Sequence, residues 1–440
     1  MMEALLNIVL VFPLIVCIVS IIHVRLGLVL YLICQCCIPY VGGYSIAGIS
    51  VNQTLMIACL ALGTIIFRAK KYPNCKFYGD NCSPFLMLYI CLFIIGICAE
   101  LDFSIQLIFF RRDLFSLIVF PIIMVNIISW ETKAIRYLYW GIIISFIISA
   151  AYALYLLFQP RGFNPYVSAL ALINGVEYSE SYSAASDRAI GKIYSTFSHP
   201  LSWAYVICNI FLILFIFKFN RAWKKVISFI IVGICLFSTG VRTGVAAMFI
   251  PLLYIIFYSK KREYFYYSFG AIVVLLLAFS FNQELQDFFF SVFDTQGKTT
   301  GSNTNMRLSQ WKGCLEATKN VLVGNGYGWC YYYMNTFGDH PKILAFESWL
   351  FVVYCNSGVL GIVSWMIFFV KIYKKNRKTS LTTLQSIYLD SFILLYIAFS
   401  MLTGDYHYLQ WTVIYYFTLY MTFKNKNQKY EHETSCKKNN

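Results

Sequence analysis

The residues able to do chemistry are few, and they sit in short polar segments between apolar runs. In "STGVRTG" (238–244) a turn of small polar residues holds one arginine, Arg242, with apolar runs on both sides. A guanidinium there presents a planar fork that binds phosphate oxygens bidentately in a partly desolvated setting. Its bland alternative is a basic side chain snorkelling to lipid headgroups. In "SDRAIGKIYSTFSHPLSWAYV" (186–206) stand Arg188, Lys192 and His199, and Pro200 follows at what reads as a helix start. His199 there reads as a capping or interface histidine ahead of a catalyst.

The stretch "TGSNTNMRLSQWKGCLEATKNVLVGNGYGWCYYY" (300–333) reads as a loop, an amphipathic helix from Arg307 to Lys319, and a turn at Gly324, Gly326 and Gly328. Leu308, Trp311 and Leu315 form the helix's apolar face, which suits a surface or lid helix. No strand precedes the glycines, so they are not a dinucleotide fingerprint. In "DHPKILAFESWLFVVYCNSGVLGIVSW" (339–365), about 100° per residue puts Glu347, Tyr354, Gly358 and Gly361 on one face, with Glu347 at the mouth of a glycine-lined seam. A carboxylate at that place is either a favourable charge at a helix start or a general base. His340 is the second candidate base, and the tyrosines of "WCYYYMNTF" suit either sugar stacking or an interfacial aromatic belt.

The elements that must position these groups follow from composition. The chain has 440 residues, 59% of them hydrophobic and 12% charged, with a mean hydropathy of +0.65. Its long unbroken apolar runs predict an all-α, polytopic transmembrane helical bundle and not a β-barrel. The first run, from Leu5, lacks a basic leader and a cleavage site and reads as a retained span. About twelve or thirteen spans are expected, with cores near 5–22, 26–41, 51–67, 84–101, 114–130, 137–158, 197–217, 226–238, 245–258, 264–281, 346–370, 386–403 and 408–423.

The net charge of +15 sits in clusters between spans, at 68–76, 218–225, 259–263, 371–378 and from Lys424. This is the pattern of cytoplasmic loops and tail, without any nucleic-acid-binding fold. Segments 159–196, 238–244, 282–345 and 404–407 then face out, which gathers Arg188, Lys192, Arg242, Arg307 and His340 on one side, with His199 and Glu347 at the outward ends of their spans. "FFRRD" (109–113) breaks the pattern by putting two arginines on the outward side. The acidic residues Glu100, Asp102, Glu347, Asp390 and Asp405 fall near span ends, which argues against a transporter with charges at mid-membrane. Fifteen cysteines lie mostly in apolar runs as small hydrophobes, with no metal spacing and no disulfide framework.

The order of "GKIYSTFSHP", "STGVRTG", "RLSQW" with "VGNGYG", and "ESWL" with "GVLG", over about 188–365, resembles the bacterial O-antigen polymerase and O-antigen ligase superfamily. The resemblance implies a membrane glycosyltransferase whose donor is an oligosaccharide on undecaprenyl diphosphate, with its site facing out from the bacterial inner membrane. It implies that Arg242 engages the donor diphosphate, assisted by Arg307 and Arg188, and His199 is counted with them as a substrate-binding candidate; fixed arginines at the bilayer surface can stabilise that leaving group without a metal, no D-x-D pair is present, and no cofactor is expected. Ligases of this family carry a histidine where this sequence has Glu347, a departure that favours a polymerase over a ligase, while His340 keeps the ligase reading open. A flippase of lipid-linked sugars is the rival from another class. The expected partners are the lipid-linked oligosaccharide, membrane lipids, a flippase and a chain-length regulator. The expected organisation is N-terminal helices over 1–158, a catalytic membrane region over 159–423 with loops 159–196 and 282–345, and a basic cytoplasmic tail over 424–440.

Overall fold

The computed structural model describes residues 2–38, 45–46, 49–79, 82–160, 163–173, 192–217, 221–259, 304–338, 340–341, 343, 347–379, 381–404 and 408–438. For residues 2–10, 45–46, 49–50, 171–173, 222, 242, 304–306 and 428–438 the description stops at the backbone. Helices α1 (Met2–Ile22) and α2 (Val24–Cys37) join at His23, and a small antiparallel pair, Ser45–Ile46 with Ile49–Ser50, leads into α3 (Gln53–Lys71). Asn52 caps α3, its Oδ1 accepting from the Leu55 N–H at 2.9 Å, and the last turn is basic. Next come α4 (Ser83–Ile97), α5 (Phe103–Trp130) with a π-helical stretch at Leu114–Val119, α6 (Ile135–Leu156), α7 (Pro165–Ile173), α8 (Pro200–Ile216), α9 (Ala222–Ser238) and α10 (Arg242–Ser259). The series closes with α11 (Thr304–Ala317), α12 (Trp329–Phe337), α13 (Trp349–Lys378), α14 (Thr383–Thr403) and α15 (Tyr408–Lys438).

By length and composition α3, α5, the helix Thr132–Leu156 that includes α6, α13 and α14 can each cross a membrane, and α2, α4, α8 and most of α10 are shorter apolar helices. The expected all-α polytopic bundle is therefore present. The expected span at 264–281 lies outside the described residues.

The helices align so that the described residues of the basic clusters gather at one end. There Arg25 at the start of α2 pairs with Glu131 after α5 at 2.8 Å, and Arg68 near the end of α3 donates to the Cys75 carbonyl at 2.9 Å. At the same end Asp390 is buried within α14. It pairs with Arg377 at 2.7 Å and accepts from Asn376 Nδ2 at 2.8 Å and from the Tyr254 hydroxyl at 3.0 Å, while Tyr416 donates to Asn376 Oδ1 at 2.6 Å. This knot ties α10, α13, α14 and α15. Asp390 thus stands two turns inside its helix and not at its end, and this is possible because each of its oxygens has partners.

Two elements depart from the sequence reading. "FFRRD" is not a loop between spans; it is the interior of the continuous helix α5. Helix α13 is interrupted at Gly358, with φ 59° and ψ −159°, so the helical-wheel face drawn through Glu347, Tyr354, Gly358 and Gly361 does not run through the break. The glycine lets a loop approach where a second helix was expected. A Cβ on Gly358 would lie 2.4 Å from the Leu322 carbonyl oxygen, and one on Gly324 would lie 2.5 Å from the Ser357 nitrogen. The amides freed at the break are satisfied by that loop: Val359 N–H donates to Val321 O at 2.9 Å and Leu360 N–H to Leu322 O at 3.1 Å. In return Asn325 and Gly326 N–H donate to the Cys355 and Asn356 carbonyls at 2.8 and 3.1 Å.

Candidate active site

At the end of the bundle opposite the basic clusters, several helix termini converge. His199 is the cap of α8: its Nδ1 accepts from the Leu201 N–H at 3.1 Å, and Pro200 follows in the first turn. Burial pulls the His199 pKa from its ordinary 6.5 down to about 4, with the Lys192 charge adding to the effect, so the ring is neutral and its Nδ1 accepts from the cap amide. The strand of chain before it is pinned to the Arg242 turn by Ile193 N–H donating to Ser238 O at 3.0 Å. That turn is built by its own small side chains. Thr239 Oγ1 donates to Leu236 O at 2.7 Å and accepts from the Val241 N–H at 3.1 Å, while Gly240 takes φ 62°. The result starts α10 at Arg242, whose backbone alone is described. A helix N-terminus with unsatisfied amides favours an anion, and an arginine at its first residue adds to that.

Arg307 lies on α11, and its Nη2 donates at 2.6 Å to the carbonyl of Leu402, in the last turn of α14. A cation there satisfies one of the open carbonyls and complements the helix dipole. The same end of α14 abuts the start of α10, because a Cβ on Gly244 would sit 3.5 Å from the Phe399 ring. Phe399 in turn packs on Tyr205 of α8 and Tyr408 of α15, with centroids at 4.9 and 5.1 Å. The last turns of α14 therefore gather the helix starts bearing His199 and Arg242 together with Arg307. Arg188 lies outside the described residues.

Glu347 precedes α13, and its Oε2 is buried without a hydrogen-bond partner among the described residues. His340 pairs its backbone with Ile343 and packs its ring on Trp329 and Tyr333, with centroids at 6.0 and 4.8 Å. Trp311 of the arginine-bearing helix stacks on Phe351 at 5.7 Å and leans on Tyr354 at 5.5 Å, which joins α11 to the start of α13. The buried face of α11 is accordingly Gln310, Cys314 and the Thr318 that follows, while Leu308 and Leu315 are exposed. The expected apolar face thus points away from the protein, and only Trp311 packs inward.

One constellation escaped the sequence reading. Arg112 Nε pairs with Asp113 Oδ1 at 3.2 Å in α5, and the Tyr327 hydroxyl donates to Asp113 Oδ2. Tyr327 stacks flat on Phe110 at 4.1 Å, and the Arg112 guanidinium lies over Phe109 and Tyr331 at 5.5 and 6.0 Å. Gln106 accepts from the Tyr327 N–H at 2.8 Å and donates to the Gly96 and Leu101 carbonyls, fixing the glycine turn on α5. Phe109, Arg112, Asp113, Tyr327 and Tyr331 line a cleft of about 70 Å³ completed by Asn356, Ser357 and Gln410. The signal that pointed to it was the charge anomaly of "FFRRD", two arginines against the bias of the rest of the chain.

The Arg242 turn, the loop arginine and the broken helix behind Glu347 occupy one continuous stretch. Residues 227–366 match the O-antigen ligase family. The O-antigen ligase segment includes Arg242, Arg307, His340 and Glu347, and excludes Arg188, His199, Arg112, Asp113 and Gln410. No curated protein matches the chain. With its apolar helices, the chain is a membrane protein similar over this segment to the O-antigen polymerase and ligase superfamily.

Proposed function

We propose that the chain is a polysaccharide polymerase that joins undecaprenyl-diphosphate-linked oligosaccharide repeat units on the extracytoplasmic side of the bacterial inner membrane. The product is a surface polysaccharide: O-antigen, capsule or exopolysaccharide. The observation that carries this reading is the gathering of Arg242 at a helix N-terminus and Arg307 around the end of α14, inside the segment similar to O-antigen ligases. Fixed positive groups of that kind stabilise a departing diphosphate without reorganising. Arg188 belongs to the same donor site, and His199 shapes its wall through the turn that its own segment pins. Glu347 deprotonates the acceptor hydroxyl, and its buried Oε2, without a hydrogen-bond partner among the described residues, suits a base waiting for a substrate proton. The basic end of the bundle faces the cytoplasm. A flippase supplies the lipid-linked repeat, and a chain-length regulator acts beside the enzyme. A transfer of the glycan to a lipid A-core acceptor, the ligase reading, is favoured only by the family's own description and by His340 in its aromatic setting.

The test is elongation in vitro: the purified chain in lipid, given a lipid-linked repeat as both donor and acceptor, builds multiples of the repeat. Arg242→Ala abolishes elongation while the protein still accumulates, and Arg242→Lys restores only part of it, because an ammonium lacks the planar fork. Normal polymer from Arg242→Ala overturns the donor site. Absence of elongation, with transfer to a lipid A-core acceptor instead, overturns the polymerase in favour of the ligase.

A further inference from the structure

The cleft between α5, the glycine turn and the start of α13 holds groups that the proposed chemistry does not use. Its charged lining residues are Arg112 and Asp113, and these pair with each other, so the cleft carries no net charge to attract an anion. Its open hydrogen-bonding capacity is of another kind. Asn356 is 8% exposed and accepts through Oδ1 from the Cys330 N–H at 2.9 Å, while its Nδ2 has no partner among the described residues. Gln410 accepts through Oε1 from Gln53 Nε2 at 3.0 Å, and its own Nε2 is likewise open among them. Ser357, also buried, adds a hydroxyl without a partner among the described residues. Asp113 uses one lone pair on each oxygen and keeps further acceptor capacity. Around this polar set stand the rings of Phe109, Tyr327, Tyr331 and Trp365.

Neutral donors and acceptors among aromatic rings match the hydroxyls and the apolar face of a sugar ring, and match a phosphate poorly. The volume of about 70 Å³ admits on the order of five water-sized groups, which is one edge of a ring and not an oligosaccharide. The helical segment from Trp349 to Asn356 extends on the order of 10 Å, so Asn356 stands well away from Glu347 at its other end. We propose that this cleft is a specificity subsite that holds one sugar ring of the repeat unit, away from the bond being formed, through Asp113, Asn356, Ser357 and Gln410. The proposal rests on the polymerase reading. It assigns to α5 and to the start of α15, both outside the segment similar to O-antigen ligases, the task of recognising which glycan is joined.

Two substitutions isolate the open donors without disturbing the bonds that hold the fold. Asn356→Asp keeps the acceptor for Cys330 and removes the Nδ2 donor, and Gln410→Glu keeps the acceptor for Gln53 and removes its donor. Ser357→Ala, a deletion of one oxygen, stands in if either fails to fold. The probe is the free repeat-unit oligosaccharide, without lipid or diphosphate, released from the surface polysaccharide of cells that make the chain. Binding to the purified full chain is read by saturation-transfer NMR, and KM for the lipid-linked repeat by elongation. Each folded variant is expected to weaken oligosaccharide binding and raise KM about tenfold, the size of one lost hydrogen bond to a well-placed partner, with kcat little changed. Unchanged binding and KM in the variants, beside a wild type that elongates, overturns the subsite alone. A wild type that neither elongates nor binds the oligosaccharide overturns the polymerase reading with it.

Discussion

Glu347, at the start of α13 with a buried oxygen that has no hydrogen-bond partner among the described residues, has two distinguishable roles. If Glu347 takes the acceptor proton, Glu347→Gln lowers the elongation rate by on the order of 10²-fold with donor binding retained. A charge that only complements the helix start changes stability by about 1 kcal/mol or less and leaves the rate alone. Single-turnover elongation beside thermal melting separates the two, and a larger loss in His340→Ala moves the base to the histidine. His199 makes a second residue-scale prediction. An unfolded chain titrates histidine near pH 6.5, whereas the folded chain holds His199 at about 4, so the unfolded state binds the proton first as pH falls. The contribution is full above pH 6.5 and is lost progressively down to about 4, of the order of 1–3 kcal/mol. Melting temperature against pH should therefore fall over that window, and His199→Asn, which still caps a helix but does not titrate, should flatten the limb. At this scale the sequence was legible where a polar group interrupts an apolar run, as Arg242 and His199 do. It was silent where the partner is remote: Tyr327 and Asp113 meet across 214 positions, and no local pattern announces that.

Among the elements, the run of residues at 346–370 showed a helix but concealed its break, because a glycine in an apolar stretch reads equally as close packing or as a turn. The choice is made by the loop at 320–328, whose carbonyls take the amides that Gly358 releases. On α11 helical spacing finds the apolar stripe but does not say which part of it packs on the protein: Leu308 and Leu315 face outward, while Trp311 packs on Phe351. Gly358→Ala tests the break. Its Cβ meets the Leu322 oxygen at 2.4 Å and its φ is positive, so the variant should lose at least about 1–3 kcal/mol, seen as a lower melting temperature and as faster proteolysis of the loop. Gly233→Ala in α9, where nothing lies within 4 Å of the added carbon, should be neutral or stabilising by up to about 1 kcal/mol. Equal melting temperatures for the two variants would remove the strain argument.

For the whole molecule, composition alone announced the helical bundle, and the clustering of Arg25, Arg68 and Arg377 at one end agrees with the charge pattern read from the chain. The side of the membrane is tested by labelling. In a cysteine-free background, Lys312→Cys on exposed α11 should react with an impermeant thiol reagent in cells with a permeable outer layer, and Lys374→Cys near the basic end of α13 should react only after the membrane is breached. The reverse pattern inverts the orientation. The break in α13 carries one more consequence, for depth. Twenty residues back from Val370, the last before the lysines, reach Phe351 and span about 30 Å, the thickness of the hydrocarbon layer. Gly358 is about 18 Å from Val370 on the same measure, so the break falls within the layer. The exposed stripe of Val359, Leu360, Val363, Met366, Ile367 and Val370 continues onto Val321 and Leu322, which are 54% and 59% exposed. The turn of the large loop therefore carries that apolar stripe onward, with its Val321 and Leu322 carbonyls taken by α13, and ends it at the exposed Lys319–Glu100 pair, 2.7 Å apart. On the proposed polymerase reading, a glycan borne on a polyprenyl tail would meet this stripe sideways, from the lipid side, which makes the acyl length of the host lipid a variable to test in the elongation assay.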